Sequence, residues 1–287
     1  MDINTINSLV LSGGGMAAIV YLGVLGVLQD RGNRIKHITG TSMGAFFGCL
    51  FAMDVPMVEV DAYLRGYVQT LPFFPLEATM NLWEGLGIDD GDFLVKPLRY
   101  FINEKFGVED MTMLEFAKAT GKSFSICVSN ITKHKRECIS VDTHPNVLLT
   151  KAVLASMAIP MFIQPVEIEG DLYIDGALTS ALPKTTNVVN SQSTLNIKVF
   201  LKLDNDIPPN TQPLVEYMSA LIKTVFVTND MDKSLIDSNN LVVLDACPLQ
   251  SFPLSFRDDG FTFLIPEEKI KESIAYGRAK IEAALVV

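Results

Sequence analysis

Gly40-Thr41-Ser42-Met43-Gly44 separates an extended apolar run at residues 35–38 from a run with helical character at residues 45–53. A serine between two glycines, at a turn from a strand into a helix, is the pattern of a nucleophile elbow. The turn is tight, so a β-carbon at either flanking position would collide with the neighbouring strand or helix. It also directs the first backbone N–H groups of that helix at whatever lies above the serine. The pattern predicts that Ser42 is a nucleophile, although Gly and Ser are also common in ordinary loops.

The composition restricts the class of protein. The chain has 287 residues, of which 48% are hydrophobic and 20% are charged, so it can bury a substantial core. Its formal net charge of −10, with only one short basic stretch at residues 133–136, argues against nucleic acid as a partner. The four cysteines show no CxxC spacing and there are only three histidines, so we expect no metal, no cofactor and reduced thiols.

An uncharged N-terminal stretch raises the alternatives of a membrane span or a signal peptide. Residues 3–29 carry no charge, but Gly13-Gly14-Gly15 interrupts them, and no Lys or Arg precedes them. A buried strand followed by a buried helix accounts for the same composition. We therefore expect no transmembrane segment and a cytoplasmic protein, peripheral at membranes if it meets them.

Strand and helix patterns alternate along the chain, which predicts an α/β protein with a mainly parallel sheet and right-handed crossovers. The strands are predicted at residues 8–12, 34–39, 124–130, 137–141, 195–203 and Leu241–Leu244, with a hairpin at 166–174. The helices are predicted at 16–29, 43–53, 58–70, 93–106, Met113–Thr120, 147–158, 214–226 and after Pro266. We expect one domain over residues 1–287, with the motifs in residues 8–183 and residues 195–287 completing the sheet and the helical layer.

The glycine turn after the first strand has two interpretations. Gly13-x-Gly15-x-x-Ala18 matches a dinucleotide-binding fingerprint, which requires an Asp or Glu at the end of the next strand. That strand runs instead directly into the elbow, so no carboxylate is available at its end to bind a ribose. In the other interpretation, the backbone N–H groups of Gly14 and Gly15 form an oxyanion hole for the oxygen that becomes negative when Ser42 attacks an ester. Neighbouring parallel strands place both turns at one sheet edge, which favours the hydrolase.

The serine needs a proton acceptor. A triad in the order Ser, Asp, His would place a histidine late in the chain, and none follows His144, which stands in an exposed-looking turn. The two earlier histidines are expected to be structural or solvated. Asp175, followed by Gly176, stands at a strand end and would accept the proton of Ser42 directly. The alternative is that Asp175 and Gly176 only form a turn.

Together these motifs resemble the patatin-like phospholipases, a family of lipid acyl hydrolases. The similar segments are Gly13-Gly14-Gly15, the elbow at residues 40–44, Asp175-Gly176-Ala177, and Ala155-Ser156-Met157-Ala158-Ile159-Pro160-Met161-Phe162 with Pro165 beyond it. They stand in the family's order over residues 8–183. The combination is far more specific than any single motif.

The resemblance implies a three-layer α/β/α fold and metal-independent hydrolysis of esters. It implies a catalytic dyad of Ser42 and Asp175. The oxyanion hole would be formed by the backbone at Gly13, Gly14, Gly15 and Met43, and Gly40, Gly44 and Gly176 would shape the elbow and the turn at the base.

The chain departs from the family pattern in two places. The family usually has Arg or Lys two positions after its third glycine, then Gly, and here those positions are Ala17 and Ala18. Where the family often has Asn before a Pro beyond the Asp motif, this chain has Ala181 with Pro183. The missing cation indicates weaker activity or a preference for less charged esters.

The expected partner is a lipid or phospholipid at a membrane surface. Residues 71–83 and the phenylalanines Phe252, Phe256, Phe261 and Phe263 are candidates for lid or interface loops, and the alternative is that these aromatic residues pack in the core. Three functions remain open: a phospholipase A-type hydrolase, an acyltransferase or neutral-lipid lipase on the same dyad, and a lipid-binding pseudoenzyme. Nothing in the sequence specifies an oligomeric state.

Overall fold

The computed structural model describes residues 1–32, 34–183, 193–200, 217, 220–222, 224–225, 240–249, 254–257, 259–263 and 265–285. Most of the helix predicted at residues 214–226 lies outside the described residues. The same holds for the end of the strand predicted at 195–203, beyond Phe200, and for Phe252.

The described residues form strands and helices in alternation. The strands are β1 (Ser8–Leu11), β2 (His37–Thr41), β3 (Phe73–Pro75), β4 (Gly87–Asp89), β5 (Ser123–Asn130), β6 (Lys135–Ser140), β7 (Met161–Ile163), β8 (Val166–Ile168), β9 (Asp171–Asp175), β10 (Thr194–Val199), β11 (Leu241–Leu244), β12 (Leu254–Arg257) and β13 (Gly260–Phe263). The α-helices are α1 (Tyr21–Asp30), α2 (Met43–Ala52), α3 (Met57–Tyr67), α4 (Asp92–Phe106), α5 (Met113–Thr120), α6 (Leu149–Met157) and α7 (Glu267–Ala284). Short 3-10 helices span Ile3–Thr5, Gly15–Val20, Val68–Thr70, Leu76–Leu82 and Gly176–Leu178.

Within the described residues, the central sheet has eight strands in the order β11-β10-β1-β2-β5-β9-β8, with β6 also paired to β5. The strands from β11 to β5 are parallel to their neighbours, whereas β6, β8 and β9 pair antiparallel. Helices flank the sheet in a three-layer α/β/α arrangement around a large apolar core. The predicted fold class and the hairpin of β8 and β9 are confirmed.

The N-terminal apolar stretch is divided among a strand, a turn and helices. Residues 3–29 contain the first 3-10 helix, β1, the glycine turn, a second 3-10 helix and most of α1. The predicted helix at 16–29 therefore begins as a 3-10 helix and becomes α-helical only at Tyr21. None of the helices in the described part of the chain is long and apolar enough to cross a bilayer.

The two aromatic segments pair with each other, which the sequence did not predict. β3, from the segment at residues 71–83, joins β13 and β12 in a three-stranded antiparallel sheet. Phe74 and Phe261 are both buried and stack with their ring centroids 5.1 Å apart. These strands are only three or four residues long and show no clear alternation of apolar residues, so their pattern resembles a loop. Some of the aromatic residues that were candidates for lid or interface loops therefore pack in the core.

Two glycines let the C-terminal helix pack closely against the N-terminal part of the chain. A β-carbon at Gly23 of α1 would lie 2.0 Å from the carbonyl oxygen of Ile274, and one at Gly277 of α7 would lie 2.3 Å from that of Val20. Only glycine allows such close approach of two backbones. α7 therefore packs directly against the 3-10 helix that follows the glycine turn.

Candidate active site

Ser42 occupies a strained turn between β2 and α2. Its backbone has φ 53° and ψ −129°, in the region with positive φ that residues other than glycine rarely adopt. A β-carbon at Gly40 would lie 2.5 Å from the Cα of Ala45, and one at Gly44 would lie 2.4 Å from the carbonyl oxygen of Ser12. The two glycines of the elbow are therefore required by contacts with α2 and β1. Because Gly40 also pairs with β5, β2 extends to Thr41, beyond the predicted end at residue 39.

β5 brings the ends of two other strands together. β2 runs parallel to β5 and ends opposite Cys127, whereas β9 runs antiparallel to it and ends opposite the next residue, Val128. Since β6 pairs along both halves of β5, β2 and β9 must lie end to end on the other edge. Ser42 follows the last residue of β2, and Asp175 is the last residue of β9. The two side chains therefore meet.

Ser42 and Asp175 form a direct hydrogen bond. Ser42 Oγ donates to Asp175 Oδ2 over 2.7 Å, and the N–H of Ala177 donates to Asp175 Oδ1 over 2.8 Å. Asp175 is 1% exposed and Ser42 is 5% exposed. Burial raises the pKa of Asp175 from 3.8 to about 7, while the two hydrogen bonds act in the opposite direction. Such a carboxylate is a stronger base than an exposed one and is positioned to accept the serine proton.

The glycine turn lies directly beside Ser42. A β-carbon at Gly13 would lie 3.3 Å from the Cβ of Ser42. Ser12 holds the turn, since its Oγ donates to the carbonyl of Gly13 and accepts from the N–H of Val199, each over 2.8 Å. The turn and the elbow thus share one edge of the sheet, as the parallel pairing of β1 and β2 predicts.

The backbone donors of the turn are not equivalent. The N–H of Gly13 donates to the carbonyl of Ala181 over 3.0 Å, so it is already engaged and is a poor donor for a substrate oxygen. Gly15 opens a 3-10 helix after Gly14, and Met43 opens α2. The first N–H groups of a helix have no partner within the helix, so Gly14, Gly15 and Met43 are better placed to receive an oxyanion than Gly13.

An apolar cavity of about 60 Å³ lies beside the elbow. Met16, which follows the glycine turn, and Met43, which follows Ser42, both line it, together with Met157. Leu71 and Leu94 contribute from the segment before β3 and from α4. The cavity has room for only part of an acyl chain, but methionine side chains rearrange easily.

A sequence profile described as patatin-like phospholipase matches residues 9–185 of the chain. The chain belongs to the patatin-like phospholipase family. Probable lipid hydrolase 463L of Invertebrate iridescent virus 6 is 26% identical over 239 residues, which are 81% of this chain and 82% of the viral protein. Lysophospholipase NTE1 of Candida glabrata is 27% identical over 186 residues, which are 61% of this chain but only 9% of NTE1.

The fold also matches a solved structure. VipD from Legionella pneumophila superposes with a TM-score of 0.59 at 17% identity, with 98% of this chain and 66% of VipD covered. At that identity the likeness shows a shared fold. The resemblance found in the sequence motifs is thus confirmed at the level of family and fold, and a lipid hydrolase is the class of protein that the family indicates.

Two serines that hold Ser42 and Asp175 in place were not predicted from the sequence. Ser156 Oγ accepts the N–H of Ser42 over 2.8 Å and donates to the carbonyl of Cys127 over 2.6 Å. Ser129 Oγ donates to the carbonyl of Asp175 over 2.9 Å. Ser156 lies within one of the segments similar to the family. A polar residue on the buried face of a predicted helix was the sequence feature that could have indicated its role.

The positions where the chain departs from the family pattern are buried. Ala17 and Ala18 are 0% exposed and Ala181 is 6% exposed. Ala17 lies in the 3-10 helix against which α7 packs, and as an alanine it supplies no positive charge near the glycine turn. His144 lies in an exposed turn, where its Nδ1 is 2.9 Å from Thr143 Oγ1. No group of three or more His, Cys, Asp or Glu able to hold a metal ion occurs among the described residues.

Proposed function

We propose that this protein is a serine lipid acyl hydrolase of the phospholipase A type, which cleaves fatty-acyl esters through Ser42 and Asp175. The observation that supports it most is the 2.7 Å hydrogen bond from Ser42 Oγ to a fully buried carboxylate whose pKa is raised to about 7. If Asp175 and Gly176 only formed a turn, the carboxylate of Asp175 would not need to be buried against Ser42. Family membership supports the same chemistry independently.

The proposed reaction has two steps. In the first, Asp175 accepts the proton of Ser42 as Oγ attacks the ester carbonyl carbon, and the carbonyl oxygen becomes negative. The N–H groups of Gly14, Gly15 and Met43 stabilise that oxygen. The tetrahedral intermediate then collapses to an acyl-serine, and Asp175 returns the proton to the leaving alcohol. In the second step, water repeats the attack with Asp175 as base, which releases the fatty acid and restores the serine.

The apolar cavity beside the elbow is the proposed site for the first part of the acyl chain. It begins at Met43, next to the nucleophile, and its lining is almost entirely apolar. A chain of several methylenes would displace the methionine side chains and gain free energy from each methylene removed from water. Substrate preference is therefore expected to follow the acyl chain more than the head group.

Covalent labelling by a fluorophosphonate probe is the experiment that tests the proposal. The wild type is expected to react at Ser42, as shown by mass spectrometry of the labelled peptide, and Ser42→Ala and Asp175→Asn are expected to lose both labelling and ester cleavage. Asp171→Asn is the matched control, because Asp171 stands at the opposite end of β9 and pairs with Lys133. Labelling and turnover that persist in Asp175→Asn would contradict the dyad.

Product analysis separates the alternatives. Release of free fatty acid from phospholipid supports hydrolysis, whereas preferential acylation of an added alcohol would indicate an acyltransferase on the same dyad. Failure of wild-type Ser42 to react, with vesicle binding intact, would contradict both and indicate a lipid-binding protein. The buried alanine at position 17, where the family usually has a cation, is the observation that motivates this last comparison.

A further inference from the structure

Three large apolar side chains project into solvent from one segment between α3 and α4. Met80 is 66% exposed, Trp83 is 84% exposed and Leu86 is 55% exposed. We call these three residues the Trp83 patch. Single exposed apolar residues are ordinary, but three within seven positions, including the only tryptophan of the chain, point to an interaction surface.

The backbone holds one of these side chains outward in an unfavourable conformation. Leu86 has a φ of 61°, in the left-handed region that favours glycine or asparagine. In the free protein a leucine that is 55% exposed gains little from packing, and its backbone conformation is unfavourable. Its conformation is explained if the side chain meets an apolar surface in a bound state.

The charges within the segment that carries the Trp83 patch are all negative. No Lys or Arg occurs between Arg65 and Lys96, whereas Glu77, Glu84 and Asp90 are exposed in the same segment. An anionic lipid surface attracts basic clusters and repels carboxylates. A surface of zwitterionic head groups imposes no such repulsion, and tryptophan is enriched at the boundary between head groups and acyl chains.

The patch is continuous with the candidate active site. β4, which begins immediately after Leu86, pairs with β7, and the carbonyl of Ala158, just before β7, accepts the N–H of Asp175. Phe162 of β7 packs against a small apolar cluster that includes Ala177, two residues beyond Asp175. On the other side, the apolar cavity extends from Met43 to Leu71, at the start of the segment that carries the patch. The segment that carries the patch thus pairs with a strand close to Asp175 and lines a cavity close to Ser42.

We propose that the Trp83 patch inserts into the head-group region of a zwitterionic phospholipid bilayer and so places the active-site edge of the sheet against its lipid substrate. The part concerning substrate delivery rests on the proposed hydrolase function, whereas the binding itself does not. The three side chains enter the boundary between head groups and acyl chains, and the surrounding carboxylates remain in water.

Intrinsic fluorescence measures this insertion directly, because Trp83 is the only tryptophan. Ser42→Ala protein, which cannot consume the lipid, is titrated with phosphatidylcholine vesicles. The expected result is a blue shift of the emission and protection from acrylamide, with quenching by lipids brominated on their acyl chains. Replacing part of the phosphatidylcholine by phosphatidylserine is expected to weaken binding at low salt. An unchanged spectrum at saturating vesicles, or tighter binding to anionic vesicles, would overturn the proposal.

Variants distinguish insertion from a general effect on the fold. Trp83→Ala and Leu86→Asn are each expected to weaken binding in vesicle flotation by about tenfold, since each removes a large apolar group from the bilayer boundary. Leu86→Asn is also expected to fold at least as stably as the wild type, because asparagine tolerates positive φ. Val58→Ala is the control: Val58 is 74% exposed, but it lies at the far end of α3.

Hydrolysis assays keep the two proposals apart. Against a water-soluble short-chain ester, the patch variants are expected to retain wild-type kcat/KM, whereas against phosphatidylcholine vesicles their rate is expected to fall in parallel with binding. If the variants hydrolysed phosphatidylcholine vesicles as fast as the wild type, the proposal that the patch binds the bilayer would be wrong, and the proposed hydrolase function would be unaffected. No activity of the wild type on either substrate, with vesicle binding intact, would contradict the hydrolase alone. Dimerisation that Trp83→Ala abolishes, without vesicle binding, would show instead that a second copy covers the patch.

Discussion

Replacement of Asp175 by asparagine is expected to abolish activity and, at the same time, to stabilise the fold. The carboxylate of Asp175 now accepts hydrogen bonds from Ser42 Oγ and from the N–H of Ala177. An asparagine side chain would keep this geometry, because its Oδ1 can accept the N–H of Ala177 and its Nδ2 can donate to Ser42 Oγ. What the variant loses is the ionisable group. The burial of that group raises its pKa, which fits the proposed role of Asp175 as a base and also makes it a source of instability.

The magnitude follows from the pKa of the carboxyl in the two states. It is about 7 in the folded protein and has its ordinary value of 3.8 in the unfolded chain. Because the folded pKa is the higher one, the wild type loses stability as the pH rises from about 4 to about 7, and the loss stays constant above that range. At about 1.4 kcal/mol for each unit of difference, the loss reaches about 4 kcal/mol.

Urea unfolding of wild type and Asp175→Asn between pH 4 and pH 8 measures this difference. The variant is expected to be more stable by up to about 4 kcal/mol at pH 8, and the advantage is expected to disappear near pH 4. Asp171→Asn provides a control of opposite sign, because a hydrogen bond from Lys133 lowers the pKa of Asp171. A stability difference between wild type and Asp175→Asn that does not change with pH would refute the argument that a buried ionised carboxylate is held here.

Three further predictions concern the same site. The kcat/KM of the wild type for a soluble ester is expected to rise with pH through about 7, as Asp175 loses its proton, and an acidic limb near pH 4 would contradict the raised pKa. Ser156→Ala leaves the buried N–H of Ser42 without its partner, so we expect unfolding free energy to fall by about 1–3 kcal/mol and kcat to fall with it, measured by urea titration and ester turnover. Leu94→Phe narrows the apolar cavity, so kcat/KM is expected to fall for long-chain esters and to stay unchanged for acetyl esters; an equal loss for both would argue against an acyl site there.

The glycine turn after β1 was predicted from the sequence in its position but not in its hydrogen bonding. The position of Gly13-Gly14-Gly15 after a buried strand and beside the elbow follows from the pattern, and the structure has it so. The engagement of the Gly13 N–H does not follow, since its partner is the carbonyl of Ala181, far along the chain. A glycine motif predicts available backbone donors, and the fold selects among them.

The aromatic segments show the opposite case. Residues 71–83 and the later phenylalanines were expected either as lid or interface loops or as core, and the structure places only part of them in the core. Phe74 and Phe261 stack in the core, whereas Trp83 is almost fully exposed. Composition identifies a segment as apolar, but the neighbours that bury one of its side chains and not the next come from other parts of the chain.

The sequence by itself determined the local features of this protein. The alternation of apolar runs and glycine turns specifies the α/β class, and the glycines of the elbow are required wherever a strand turns that sharply into a helix. The motifs also indicated Asp175 as the partner of Ser42, but only the tertiary structure shows how two residues 133 positions apart come into contact: β2 and β9 end at adjacent residues of β5. It also decided the pKa of Asp175, since the desolvation that raises it comes from the atoms that surround the carboxyl group in the fold.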